Sequence, residues 1–231
     1  MNIGIILAAG KGERMNSNIS KQFILINDVP LFIYPIKTFN QNKKIDFILV
    51  VTKAEDVDYV RSECKKHKVN KLYNVIAGGQ TRQESVYNAL KFLKGKTNDD
   101  DNILIHDAAR PLVSKEIIDT NLDALKECDA VETATKATDT IIKSNDGQSI
   151  NNVENRETIF QVQTPQSFKY TVIYKAHDKA RKDGFIGTDD ASLVLRMNHP
   201  VHIVNGNKNN FKITTPEDLE LLQAILKSES E

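Results

Sequence analysis

Residues 3–7, Ile-Gly-Ile-Ile-Leu, form a β-prone apolar run that breaks, with no linker, into Ala8-Ala9-Gly10-Lys11-Gly12-Glu13-Arg14-Met15, with Lys21 close behind. A strand emptying into a small, glycine-rich loop presents a row of backbone N–H groups, a natural seat for an anion. Arg14 and Lys21 add positive charge to that seat. The spacing also excludes two common alternatives. Met15 stands where a dinucleotide-binding turn needs its third glycine, and the Gly-Lys-Ser/Thr ending of a P-loop is missing. Taken alone, the loop is equally an ordinary strand-to-helix turn, and the two basic residues weigh toward an anion site.

The same alternation continues along the chain. Strand-like runs at 3–7, 47–51, 72–77 and 103–106 are separated by helix-like segments at about 30–39, 54–67 and 82–93. The last of these carries Val86, Ala89, Leu90 and Leu93 on one face. This order predicts an α/β fold, a Rossmann-like and mostly parallel sheet with helices on both faces, whose ligands collect at the carboxyl ends of the strands. After residue 130 the pattern changes. The runs 130–137, 138–143 and 158–163 are β-prone, and Ser144-Asn145-Asp146-Gly147 signals a hairpin. We read this excursion as an extended β-arm, at about 136–160, that leaves the body and pairs with a second subunit; extra antiparallel strands on the main sheet are the other arrangement the pattern allows. A closing helix starts at Thr215-Pro216-Glu217-Asp218, with Leu219, Leu222, Ile225 and Leu226 on its apolar side. No repeat or interdomain linker interrupts the chain, so residues 1–231 read as a single domain with its arm.

Charge narrows the function. Lys plus Arg and Asp plus Glu balance at 31 each, for a net charge of zero. Non-specific nucleic-acid binding requires a basic excess and is not expected; a phosphate ligand must be held by a local cluster. No stretch is long enough to span a membrane. The two cysteines, Cys64 and Cys128, have neither metal spacing nor a disulfide framework, which fits a reducing cytoplasm. The chain enters a strand directly, so a cleaved signal peptide is not expected.

Several loops follow strand ends. Gly78-Gly79-Gln80-Thr81-Arg82 through Ser85 opens a helix and offers a second anion or base seat, or a capped glycine turn. Asp107, in His106-Asp107-Ala108-Ala109-Arg110-Pro111, ends an apolar strand where an oxygen ligand for Mg²⁺ is useful; a turn aspartate is the plainer alternative, and Arg110 reads as a loop-fixing residue. Asp139-Thr140 and Arg156 on the excursion pair a hydroxyl with a guanidinium, a common phosphate-binding set. Gln163-Thr164-Pro165-Gln166 lies on the same excursion. Thr188-Asp189-Asp190-Ala191-Ser192 reads as a helix cap. Lys212, between Phe211 and Ile213, faces either solvent or the crevice. Tyr87-x-x-x-Lys91 matches the catalytic pair of short-chain reductases, but without the glycine pattern it is a coincidence of helical spacing.

In order and across nearly the whole chain, these motifs resemble the 2-C-methyl-D-erythritol 4-phosphate cytidylyltransferase family of non-mevalonate isoprenoid synthesis. A close relative is the ribitol-5-phosphate cytidylyltransferase family of wall and capsule polymers. The resemblance implies that CTP and a polyol phosphate give a CDP-polyol and pyrophosphate, with Mg²⁺. Carried over, Arg14, Lys21 and Lys212 are the catalytic cations, and Ala8, Ala9 and Gly10 form the nucleotide loop. Gly79, Arg82 and Ser85 frame cytosine and ribose, and Asp107 holds the metal. Thr140 and Arg156 bind the substrate phosphate from the partner's arm in a homodimer, with Thr164 near the same pocket. The segment Lys136-Ala137-Thr138-Asp139-Thr140 looks more like the ribitol branch, whereas Leu7 to Gly10, His106 to Arg110 and Thr188 to Ser192 look like the isoprenoid branch, which we favour. A similar first loop serves sugar-1-phosphate uridylyl- and thymidylyltransferases, and a nucleotide-binding module without turnover is a further reading.

Overall fold

The computed structural model describes residues 1–10 and 20–228. The expectation for Arg14 lies outside them, as do those for Lys11, Gly12 and Met15.

The strands form a seven-stranded sheet: β1 (Asn2–Leu7), β4 (Phe47–Thr52), β5 (Leu72–Ala77), β6 (Asn102–Asp107), β7 (Ala130–Lys136), β10 (Phe160–Lys169) and β11 (His202–Asn205), in spatial order β11-β7-β10-β6-β1-β4-β5. Strand β1 is parallel to β4 and β6, β4 to β5, and β7 to β11, while β10 runs antiparallel to both β6 and β7. The α/β class and the mostly parallel sheet are as the sequence predicts.

Period-two alternation sorts the apolar residues onto two faces. Ile3, Ile5, Leu49, Val51, Ile103 and Ile105 face α3 (Arg82–Leu93), α5 (Tyr170–Lys182) and α6 (Asp190–Leu195). Ile6, Ile48, Val50 and Leu104 face α1 (Ile33–Gln41), α2 (Val57–Lys66) and α4 (Lys115–Ala124). Helix α3 has the expected bounds because its apolar spacing and its cap agree. The expected helix at 30–39 starts later, since β2 (Leu25–Ile26) pairs with β3 (Val29–Pro30) as a two-stranded turn. Helix α7 (Pro216–Ser228) packs Leu222 on Ile26, Leu31 and Ile213, and so anchors the segment that carries Lys212.

The β-prone excursion divides. Residues 130–136 and 160–169 pair within the main sheet, because β7 is buried over most of its length. Only the stretch between them leaves the sheet. There Ile142–Lys143 and Asn152–Val153 (β8 and β9), among the described residues, pair with each other alone, and Ile142, Ile150 and Val153 are exposed.

Gly4 lets the Phe39 ring pack directly against β1: a Cβ there would lie 2.6 Å from Cδ1 of Phe39. Gly4→Val should therefore destabilise the protein by about 3 kcal/mol, the upper range for overpacking, as read from the urea unfolding midpoint.

Candidate active site

Parallel pairing brings the strand exits side by side. Leu7 pairs with both Val51 and Asp107, and the ladder runs on past the strands: Ala8 N donates to Val51 O (2.7 Å), Ala108 N to Leu7 O (3.0 Å) and Gly78 N to Thr52 O (2.7 Å). A cavity of about 880 Å³ opens over these exits. Of the residues singled out from sequence, Ala8, Ala9, Gly10, Lys21, Gly79, Arg82, Ser85, Asp107 and Lys212 line it. The cations Lys21, Lys53, Arg82 and Lys212 outnumber the acids Glu55 and Asp107, giving a neutral chain a locally positive pocket. Lys53 was missed in the sequence, although its place directly after β4 is the signal that would have found it.

The second glycine turn is held by its own helix. Thr81 caps α3 by accepting from Glu84 N (3.1 Å), and Ser85 Oγ donates to Thr81 O (2.9 Å) while accepting from Gly79 N (3.1 Å). A Cβ on Gly79 would fall 2.3 Å from that of Glu84, so only glycine lets the turn lie this close.

Asp107 is the centre of the site. Its carboxylate accepts from Arg82 Nε (3.2 Å) and Lys212 Nζ (2.6 Å). Burial alone would raise its pKa; the charges of Arg82 and Lys212 and the Lys212 hydrogen bond prevail and hold it well below the usual carboxylate range. Arg82 also donates from Nη1 to Asp190 (2.8 Å), whose other oxygen meets Nε2 of buried His177 (2.9 Å). Burial would raise Asp190 too, but Arg82 and then His177 hold it low. Lys21 donates to the carbonyl of Ile213, tying the first loop to the Lys212 segment.

Beneath the cavity, Thr164 Oγ1 accepts from Asp107 N (3.2 Å) and lies 2.9 Å from His106 Nδ1. Nε2 of His106 lies 3.0 Å from the carbonyl of Arg110. Burial pushes the imidazole down to about 4, so it is neutral, with Nε2–H donating to Arg110 O and Nδ1 accepting from Thr164. The structure thus places Thr164 behind Asp107, where it does not line the cavity. Arg110 ties the loops as expected, through the carbonyls of Asn210 (2.8 Å) and Val162 (3.2 Å). Asp189 caps α6 in a capping box with Ser192. Thr140 and Arg156 are exposed in the stretch between β7 and β10 and do not line this cavity. A second cavity of about 450 Å³, lined by Arg110, Lys136, Asp139, Lys208 and Lys212, adjoins the first through Lys212.

Among the described residues no cluster of three His, Cys, Asp or Glu could cage a metal. One carboxylate completed by phosphate oxygens is nevertheless a set that Mg²⁺ accepts, so Asp107 fits an ion that arrives with a triphosphate.

Fold and site together define the class: an α/β enzyme of the nucleotidyltransferase type. The family described as 2-C-methyl-D-erythritol 4-phosphate cytidylyltransferase (IspD) matches residues 3–228. Proteins of that name from Clostridium novyi and Geobacter metallireducens are 42% and 39% identical, over 98% and 96% of this chain and 97% and 96% of their own lengths. The crystal structure of 4-diphosphocytidyl-2C-methyl-D-erythritol synthase from Anaerococcus prevotii superposes with a TM-score of 0.86 at 31% identity, covering 98% of this chain and 96% of that one. The chain belongs to the 2-C-methyl-D-erythritol 4-phosphate cytidylyltransferase family.

Asp190→Ala leaves Arg82 and His177 without their shared carboxylate. The expected loss is about 3 kcal/mol, the low end for a broken buried pair because the Arg82 side chain is 32% exposed, measured by chemical denaturation. Asp107 and Asp190 are both depressed below the ordinary aspartate value of 3.8. Their contribution is therefore fully present above that value and lost as pH falls below it. An acid titration of Tm should show a steep fall there, shallower in Asp190→Ala.

Proposed function

We propose that the protein transfers the cytidylyl group of CTP to 2-C-methyl-D-erythritol 4-phosphate, releasing pyrophosphate, within isoprenoid precursor synthesis. The observation that carries this reading is the convergence of Lys21, Arg82 and Lys212 on one cavity that Gly10 and the Gly78-Gly79 turn also line. The adjoining cavity, with Arg110 and Lys208 beside Lys212, suits the polyol phosphate.

The substrate brings its own nucleophile. A phosphate oxygen of the polyol phosphate attacks the α-phosphorus of CTP, a new P–O bond forms, and the bond to the β-phosphate oxygen breaks with departure of pyrophosphate. The protein's task is alignment and charge neutralisation. Lys21 and Arg14 hold the triphosphate, and the N–H groups of Ala9 and Gly10 add dipoles to it. Lys212, set against Asp107, faces both cavities and meets charge that develops between the two substrates. The turn at Gly79, with Ser85 holding its N–H and Arg82 at its rim, frames cytosine and ribose. When Mg²⁺ is bound, held by Asp107, it neutralises phosphate charge.

The assembly proposed is a homodimer of single-domain subunits, each lending its arm to the other, so that Thr140 and Arg156 reach the partner's polyol phosphate. The exposed apolar residues of the arm, and the fact that among the described residues β8 and β9 pair only with each other, support this reading. Thr164 then acts through Asp107, not on the phosphate directly. A cytoplasmic location accords with the two free thiols, Cys64 and Cys128.

Pyrophosphate release with CTP and Mg²⁺ should be strongly preferred for methylerythritol 4-phosphate over ribitol 5-phosphate; preference for ribitol 5-phosphate overturns the substrate assignment. Lys21→Ala should lower kcat by about 100-fold or more with the fold intact; near-normal turnover would remove Lys21 from the chemistry. Lys21→Ala and Arg156→Ala proteins, inactive apart, should recover about one quarter of wild-type activity after mixing and subunit exchange, since half the dimers are mixed and each has one intact site. No recovery would place Arg156 in its own subunit's site.

A further inference from the structure

Glu132 is a buried acid in the middle of β7 that no step above uses. Antiparallel pairing sets it directly opposite Gln166, and its Oε2 accepts from Gln166 Nε2 at 2.5 Å. Oε1 is buried with no partner among the described residues. The same Gln166 amide reaches further: Nε2 also donates to Asp189 Oδ2 (2.9 Å), and Oε1 accepts from Asp190 N (3.2 Å). One side-chain amide thus fixes both acids at the start of α6. Asp190 holds Arg82 at the rim of the nucleotide cavity, and Arg82 holds Asp107.

We propose that Glu132 is a positioning residue for the nucleotide pocket: it orients Gln166, which anchors Asp189 and Asp190, and through Asp190 it sets the Arg82 guanidinium that faces the cavity. This role rests on reading that cavity as the CTP site.

The surroundings of Glu132 give the role a pH signature. It faces Gln166 of β10, Asp189 and Asp190 at the start of α6, Arg82 of α3 and Arg110 of the loop after β6. Its neighbour Thr133 points to the other side, where it meets Asn121 of α4. On β11 the paired residue is Ile203, which carries no charge. Burial pushes the Glu132 carboxyl up to about 8; Asp189 and Asp190 add to the rise, against the Gln166 hydrogen bond and the Arg82 charge. At neutral pH the group is an uncharged acceptor. Above its pKa a third negative charge appears beside Asp189 and Asp190. It competes for Arg82 and weakens the geometry that presents the guanidinium to the nucleotide.

The test is kcat and KM for CTP between about pH 6.5 and 9 in wild type, Glu132→Gln and Glu132→Leu. In wild type KM for CTP should rise several-fold through a midpoint near 8, with kcat changing less. Glu132→Gln, which keeps an uncharged acceptor, should match wild type at neutral pH and lose the alkaline rise. Glu132→Leu, which removes the acceptor, should show a several-fold higher KM at every pH. A rise that persists unchanged in Glu132→Gln overturns the proposal, as does a folded Glu132→Leu with wild-type KM. If Glu132→Leu does not fold, the pH profile of Glu132→Gln decides alone. Calorimetry of CTP binding to wild type near pH 6.5 separates the two readings. Absence of binding removes the CTP site and this role with it, whereas binding with a pH-insensitive KM removes only the role of Glu132.

Discussion

The site is organised by one buried carboxylate that has to be paired. Asp107 ends the β6 strand beneath the cavity, where an unmatched charge would be very costly. Its partners come from remote parts of the chain: Arg82, 25 residues earlier, and Lys212, 105 residues later. Satisfying Asp107 therefore fixes the start of α3 and the segment before α7 against the same strand end. The requirement is passed outward, because Arg82 also binds Asp190, and Asp190 binds His177. Thr164 and neutral His106 support the Asp107 backbone from below.

The same arrangement explains how a chain of zero net charge attracts a triphosphate. The cations around the cavity are pinned by hydrogen bonds: Lys212 to Asp107, Lys21 to the carbonyl of Ile213 and Lys53 to Ser20. Held side chains require little reorganisation when charge moves between phosphates, which is the condition under which electrostatic catalysis is effective. The Gly79 turn follows the same logic on the backbone, since Ser85 and Glu84 fix its N–H groups and glycine alone permits the approach.

Much of this was legible before the structure. Helix α3 and strands β1, β4, β5 and β6 were visible because their apolar spacing and turn residues agree, and their strand-end loops pointed to the crevice. Lys212 was ambiguous, since alternation in an extended segment says only that it opposes Phe211 and Ile213. Glu132 and His177 were invisible: each is a polar residue in an otherwise ordinary strand or helix, and its importance comes from neighbours distant in sequence. The partners of 130–136 and 160–169 in the main sheet were equally hidden, because β-propensity does not name a strand's partner.

The sequence by itself determined the α/β class, the two glycine turns, the position of Asp107 at a strand end and the family to which the chain belongs. These are local: each depends on the order of residue types along a short stretch, and apolar period and turn chemistry act within a few residues of each other. Only the tertiary structure decided that Arg82 and Lys212 meet on Asp107, that Thr164 supports that aspartate from behind, and that Gln166 joins Glu132 to the start of α6. Those contacts are set by parallel and antiparallel register across the sheet, and register depends on how the two faces pack as a whole.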